Sequence, residues 1–340
     1  MTGQNLYRAI VLKGTGGLDQ LQERSLPLEP PQQGQIRIRV LASGVGFTDI
    51  TMRTGSHLFR PKFPFVPGYE VVGVVDAIGD GVSGFTPGQR VCALTEIGGW
   101  AEYFTREADH FVPVPDGLDA AEVVTLILNY VTAYQMIHRT ASLRAGQTAL
   151  VTGANGGVGT ALIELLRAHG VRALGLASRA HFDLIRSLGG EPIESRTRPI
   201  DDAVHEVLPD GVDVAFDGLG GLCTRECVRA TRRGGLIIGY GSMALRNPAD
   251  RWRGLASLFA GSRLKGRRGT FYGISVLYRK DKRPFKEDLP KLFDLLAARK
   301  IRPRIAARLQ LLDGREGQRL LESGGVAGKI VLQSAAVSAP

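Results

Sequence analysis

Cysteine is scarce in this chain: Cys92, Cys223 and Cys227 are the only three in 340 residues, and no two form a C-x-x-C pair. So few thiols exclude a disulfide framework and fit a reducing compartment, where a free cysteine packs as a small apolar residue. The six histidines, His57, His110, His138, His169, His181 and His205, are scattered without metal-ligand spacing. No basic leader precedes Tyr7-Arg8-Ala9-Ile10-Val11-Leu12, and no later segment approaches the roughly 20 apolar residues of a membrane span, so the expected location is cytoplasmic. Internal repeats are absent, and low complexity is confined to the small-residue tail after Gln333. Acids nearly vanish between Arg251 and Lys286, where eleven Lys or Arg face only Asp281; this one stretch holds the whole net charge of +10.

What is present suits an α/β protein. At 340 residues the chain exceeds the roughly 250 that one core supports, so two domains are expected. Its 44% hydrophobic content and 44 glycines are those of a globular α/β chain. Residues 1–125 read as short strands: Ile36-Arg37-Ile38-Arg39-Val40 alternates with period two and Val71-Val72-Gly73-Val74-Val75 is a buried β-branched run. Gly79-Asp80-Gly81 and Thr86-Pro87-Gly88-Gln89 are turns, and Asp116 and Asp119 read as caps for a helix beginning at Ala120. Helical periodicity runs through Tyr134 and His138. Strands and helices then alternate: Thr148 to Thr152, Val158 to His169, Val171 to Ser178, a helix to Leu188, Val212 to Asp217, and Gly235 to Gly239. Strands separated by helix-length spacers imply βαβ units and a doubly wound parallel sheet. Phe285 to Arg299 reads as an amphipathic helix and Gly328-Lys329-Ile330-Val331-Leu332 as a final strand.

The turn Gly153-Ala154-Asn155-Gly156-Gly157-Val158-Gly159 leaves an apolar strand and opens a helix that stops at Gly170. Ala154, Gly156 and Gly159 match the dinucleotide fingerprint with alanine at its first glycine. Gly156 lets the backbone approach a pyrophosphate, Gly159 lets helix and strand pack closely, and the helix N-terminus offers unpaired N–H donors to the anion. An NAD site places Asp or Glu about twenty residues on, against the ribose 2′-hydroxyl. Ser178-Arg179 stand there instead. A hydroxyl and a guanidinium suit a 2′-phosphate, so NADP(H) is the expected cofactor.

The turn, together with Gly44-Val45-Gly46-Phe47-Thr48-Asp49, Pro67-Gly68-Tyr69-Glu70, Asn129-Tyr130-Val131-Thr132-Ala133-Tyr134, Gly211-Val212-Asp213-Val214 and the final strand, resembles the medium-chain dehydrogenase/reductase superfamily. Within it the likeness is to the zinc-free quinone oxidoreductases and their vesicle amine transport protein-like relatives. The resemblance implies a GroES-like β-rich catalytic domain over 1–125, a Rossmann NADP-binding domain over 126–270, and a segment 271–340 that returns to complete the first. It also implies a homodimer. Zinc members of the superfamily take ligands at positions matching Gly46, Tyr69 and Leu128, none of which is a zinc ligand of that type. The four-cysteine structural zinc lobe is absent too. Chemistry without zinc follows: hydride delivery to an already electrophilic carbon, a quinone or the β-carbon of an α,β-unsaturated carbonyl.

The resemblance sets Phe47, Thr48 and Thr132 beside the nicotinamide and Gly239-Tyr240-Gly241-Ser242 along the ribose and nicotinamide. It brings Lys329 to the cofactor, joining the set Ala154, Asn155, Gly156, Gly157, Val158, Gly159, Ser178 and Arg179. The substrate-side tyrosine of many quinone reductases corresponds to Thr51 and a common asparagine to Gly46; both changes enlarge the pocket. Tyr69 replaces the lost histidine, where its phenol can protonate a substrate oxygen or pack with its hydroxyl tied to backbone. Tyr69, Thr51 and Thr132 are therefore the catalytic candidates. Asp49 and Glu70, acids that stand behind the metal in zinc relatives, read as structural.

In the basic stretch, Trp252, Leu255, Leu258, Phe259 and Leu264 have the spacing of one helix face. Its uses, in order of expectation, are a surface or dimer contact, attraction of acidic substrates such as acyl-thioester phosphates, and an anionic membrane, with nucleic acid last. The leading function is NADPH-dependent reduction of a quinone or enone. The alternatives are an enoyl-thioester reductase and a cofactor-bound membrane or nucleic-acid binding protein with little catalysis.

Overall fold

Alternation along the strand Gln35–Val45 buries Ile36, Ile38 and Val40 and turns Arg39 to solvent. In the computed structural model, which describes residues 5–57, 61–194, 197–241 and 248–335, this strand is the hub of one of two units. That unit comprises Met1–Leu128 and Lys282–Pro340; the other is Asn129–Asp281. The hub pairs antiparallel with Glu70–Ile78, with Tyr103–Glu107 and with Lys329–Gln333, and the last of these pairs in parallel with Ile305–Gln310. Segments within 35–113 and 305–333 thus build one seven-stranded sheet, while Leu6–Leu12 and Leu21–Pro27 pair in a two-stranded sheet of their own. Lys329 opens an interior strand rather than an edge. Leu12, Val71, Val72, Val91 and Trp100 fill the core of the unit without solvent exposure.

The second unit holds six parallel strands in the order Glu191–Glu194, Arg172–Ala177, Thr148–Val151, Val212–Asp217, Thr231–Gly239, Arg268–Phe271. This is the strand order of a dinucleotide-binding Rossmann sheet, and it reverses between Thr148–Val151 and Val212–Asp217, where such sheets bind ligands at their carboxyl ends. Leu150, Leu174, Ile193, Val204, Ala215, Cys227 and Ile237 pack its core. Cys92 is likewise buried, Cys223 half-buried, and no disulfide links them. Because Arg268–Phe271 adds a sixth strand and the helix Ile274–Lys280 follows it, this unit continues to Asp281.

Two expectations are revised here. The basic stretch is not one amphipathic helix: Pro248–Ala256 passes into π-helical winding at Ser257–Gly261, then a short turn of helix and an edge strand. Leu258 is buried while Trp252 is 71%, Phe259 50% and Leu264 88% exposed, and the wider winding changes the phase of the residues after Ser257 relative to those before it. Moreover, the helical run Ala120–Thr140 is long and apolar enough to cross a membrane by length and composition, but 89% of its most apolar window is buried inside the protein. Its apolar residues are those of a core helix.

Candidate functional site

The strand Thr148–Val151 delivers the chain to the turn, and the helix Gly157–Ala168 leaves it with Gly156 as its extended N-cap. Gly156 N–H donates to the Gly153 carbonyl at 2.9 Å and Ala154 N–H to the Leu176 carbonyl at 3.2 Å, tying the turn to the next strand. At Gly159 a β-carbon would lie 2.3 Å from the Gly153 oxygen, so only glycine lets the helix start seat on the turn. No side chain caps this helix and its first turn carries no acid, which leaves its N–H donors and positive dipole end for an anion. Ala154 is buried, whereas Asn155, Gly156, Gly157 and Val158 are partly exposed. Gly241 comes equally close to the Gly218 carbonyl, where a β-carbon would be 2.3 Å from the oxygen. Ser242 lies outside the described residues.

Two polar groups in this unit await partners. Asn129 and Thr132 are 4% and 5% exposed, and neither Asn129 Nδ2 nor Thr132 Oγ1 has a hydrogen-bond partner among the described residues. The Asn129 amide lies against Gly157, 2.4 Å from where a β-carbon would stand. Buried polar groups are seldom left unpaired without a functional reason, so the glycine cradle and these two groups fit a dinucleotide. Asp217, 1% exposed at the end of its strand, fixes the surrounding loops: Oδ1 accepts from Thr152 Oγ1, Leu219 N and Gly220 N, and Oδ2 from Thr224 Oγ1 at 2.6 Å. Ser178 and the exposed Arg179 follow the strand Arg172–Ala177, as the motif requires.

In the first unit, the helix Phe47–Thr54 carries Phe47, Thr48 and Thr51, all half-buried. Thr51 Oγ1 donates to the Thr48 carbonyl at 2.8 Å. Asp49 anchors the helix start: Oδ2 accepts from Gly46 N at 2.9 Å and Oδ1 from Gly68 N at 3.1 Å, which ties the helix to the Gly68-Tyr69-Glu70 segment. Tyr69 is 4% exposed. Behind Asp49 the Lys329 ammonium forms an ion pair with Glu70, both essentially without solvent. Gly44 makes room for this pair, since a β-carbon there would fall 1.8 Å from Glu70 Oε1. Burial pushes the Asp49 carboxyl up to about 7, against the lowering effects of the Gly46 N–H and the Lys329 charge. Burial raises Glu70 as well, opposed by Lys329. Among the described residues no group of three or more His, Cys, Asp and Glu could hold a metal ion.

Of the expected site residues, the structure gathers Phe47, Thr48 and Thr51 on one helix, with Tyr69 and Lys329 linked to its start through Asp49 and Glu70. In the other unit it gathers the glycine turn, Ser178, Arg179, Gly241 and Thr132. Lys329, expected at the cofactor, commits its ammonium to Glu70. Sequence reasoning assigned no site role to Asn129 or Asp217; the signal for Asp217 was a carboxylate ending a buried strand beside the glycine turn.

Residues 32–116 match the family model for the alcohol dehydrogenase GroES-like domain and residues 188–332 that for zinc-binding dehydrogenase. The rat synaptic vesicle membrane protein VAT-1 homolog is 35% identical over 238 residues, 69% of this chain but only 59% of that longer protein. Mouse quinone oxidoreductase is 39% identical over 247 residues, covering 71% of this chain and 75% of that protein. A mycobacterial structure solved in complex with NADPH superposes with a TM-score of 0.86 at 25% identity, over 97% of this chain and all of the other.

Two outcomes follow from the buried charges. Lys329→Met strands the Glu70 carboxylate and is expected to cost about 3–5 kcal/mol in urea unfolding, whereas pairing it with Glu70→Gln should restore most of that loss; a double variant no more stable than the single one contradicts the pairing. Asp49, with its folded value above the ordinary 3.8, adds stability that is full below that value and lost as pH rises through about 7. Wild type should therefore lose ground to Asp49→Asn between about pH 4 and about pH 7, by at most about 1.4 kcal/mol per unit, and no further above that. A stability difference that stays constant with pH contradicts the shift.

Proposed function

The chain belongs to the quinone oxidoreductase branch of the medium-chain dehydrogenase/reductase superfamily of oxidoreductases, and from that membership we propose that it is an NADPH-dependent reductase of quinones or α,β-unsaturated carbonyls that works without zinc. The observation that carries the proposal is the uncapped helix start at Gly157, seated by Gly159 and flanked by the Asn129 amide, whose Nδ2 has no partner among the described residues. The helix N–H groups bind the pyrophosphate, and Ser178 and Arg179 bind the 2′-phosphate. In the same unit Thr132 and Gly241 would meet the nicotinamide half of the cofactor. When bound, the nicotinamide supplies a hydride.

Zinc does not fit this donor set. Glycine, tyrosine and leucine stand at positions 46, 69 and 128, and none offers the thiolate or imidazole that catalytic zinc requires. A β-carbon at Gly46 would sit 3.9 Å from both Leu128 Cδ2 and the Lys329 ammonium, so apolar surface and a positive charge adjoin that position. Substrates must then be electrophilic already, and the protein's part is orientation and hydrogen bonding to the developing oxyanion. Tyr69 donates that hydrogen bond, with Thr51 shaping the pocket. Lys329 acts through Glu70, holding the sheet beneath Gly46. The edge strand Arg268–Phe271, with Phe271, Val276 and Leu277 exposed by 53, 53 and 44%, supports a homodimer formed along that edge. The reading of the basic stretch as a membrane or acidic-substrate contact ranks below this one, and the cytoplasm is the proposed location.

NADPH consumption is to be followed with 1,2-naphthoquinone, a short enone and crotonyl-CoA. Turnover of the first two is expected. Activity on crotonyl-CoA alone makes the protein an enoyl-thioester reductase, and a flat response to all three despite tight NADPH binding makes it a binding protein. Tyr69→Phe should lower turnover about tenfold with NADPH affinity unchanged; full turnover reduces Tyr69 to packing.

A further inference from the structure

Arg179 has a fixed neighbour. The strand Glu191–Glu194 runs parallel to Arg172–Ala177 with Glu194 opposite Ala177, and this register brings the Glu194 carboxylate within 2.6 Å of Arg179 Nε. The two partners differ in freedom, since the Arg179 side chain is 79% exposed and Glu194 only 13%. Strand and burial hold the carboxylate; the guanidinium comes to it. Both border a cavity of about 430 Å3 that Arg186 and Arg198 also line. Arg186 pairs with Asp183 at 3.0 Å and Arg198 pairs with Glu206. Each arginine bordering the cavity among the described residues therefore has a carboxylate partner, and the wall is close to charge balance.

We propose that Glu194, from the strand next to the cofactor motif, sets how strongly this site prefers NADPH over NADH. The inference rests on Ser178-Arg179 being the 2′-phosphate site. Holding Nε, Glu194 leaves the two Nη nitrogens without an acceptor among the described residues and available for paired bonds to a phosphate. Its negative charge simultaneously opposes the approach of that phosphate, so the preference for the phosphorylated cofactor is tempered. NADH, which carries a 2′-hydroxyl at this position, feels little of either effect. The carboxylate that an NAD site places at the end of its second strand is supplied here by the third, as a partner of the arginine rather than of the ribose.

Nicotinamide fluorescence titrations of NADPH and NADH at low salt, on wild type, Arg179→Ala and Glu194→Gln, test this. Glutamine keeps an acceptor for Nε and removes the charge. The expected result is an NADPH Kd about five-fold lower in Glu194→Gln, the scale of one exposed charge interaction, with the NADH Kd changed less than about two-fold. NADPH affinity that stays constant or weakens in Glu194→Gln, while Arg179→Ala lowers the NADPH preference, overturns the role of Glu194 alone. An unchanged NADPH-to-NADH ratio in Arg179→Ala overturns the phosphate site itself. NADH binding serves in each variant as the check that the Rossmann unit is folded.

Discussion

The helix Gly157–Ala168 reaches the carboxyl end of its strand only because residue 159 has no side chain: a β-carbon would stand 2.3 Å from the Gly153 oxygen. That close approach aims the N–H groups of the helix start at the space beyond the strands, next to the Asn129 amide. The remaining cofactor determinants are arranged around it. Asp217 ties the adjacent strand ends and loops through four hydrogen bonds, so the loops meeting the turn are fixed before a ligand arrives. Preformed donors lower the ordering cost of binding.

The other unit carries a different constraint. Glu70, Lys329 and Asp49 are buried together, and a buried charge is tolerated only when it is paired or protonated. The ion pair meets the first condition, and the upward shift of Asp49 toward neutrality moves it toward the second. Gly44 is what makes the arrangement possible, by leaving space for the carboxylate and the lysine stem. The start of the helix bearing Phe47, Thr48 and Thr51 is therefore held by the electrostatics of Asp49, Glu70 and Lys329.

Local signals were legible in the sequence. The glycine turn, the alternation of Ile36, Ile38 and Val40, and the βαβ spacing each depend on residues a few positions apart, and each appears in the structure where the pattern puts it. Asp119 likewise caps the helix that follows it, accepting from Ala121 N and Glu122 N. Long-range partners were not legible. Glu70 meets Lys329, and Arg179 meets Glu194, through strand register that no motif encodes. The basic stretch was misread because a π-helical turn changes the period on which a helical face is counted.

The proposed reaction is hydride transfer without metal, argued from the glycine-seated helix start and from the glycine, tyrosine and leucine at positions 46, 69 and 128. The most direct test is zinc content measured alongside NADPH-dependent reduction of 1,2-naphthoquinone, before and after dialysis against a strong chelator. The account predicts full turnover in protein holding far less than one zinc per chain, and no gain when zinc is added back. Turnover that disappears with the chelator and returns with zinc contradicts it.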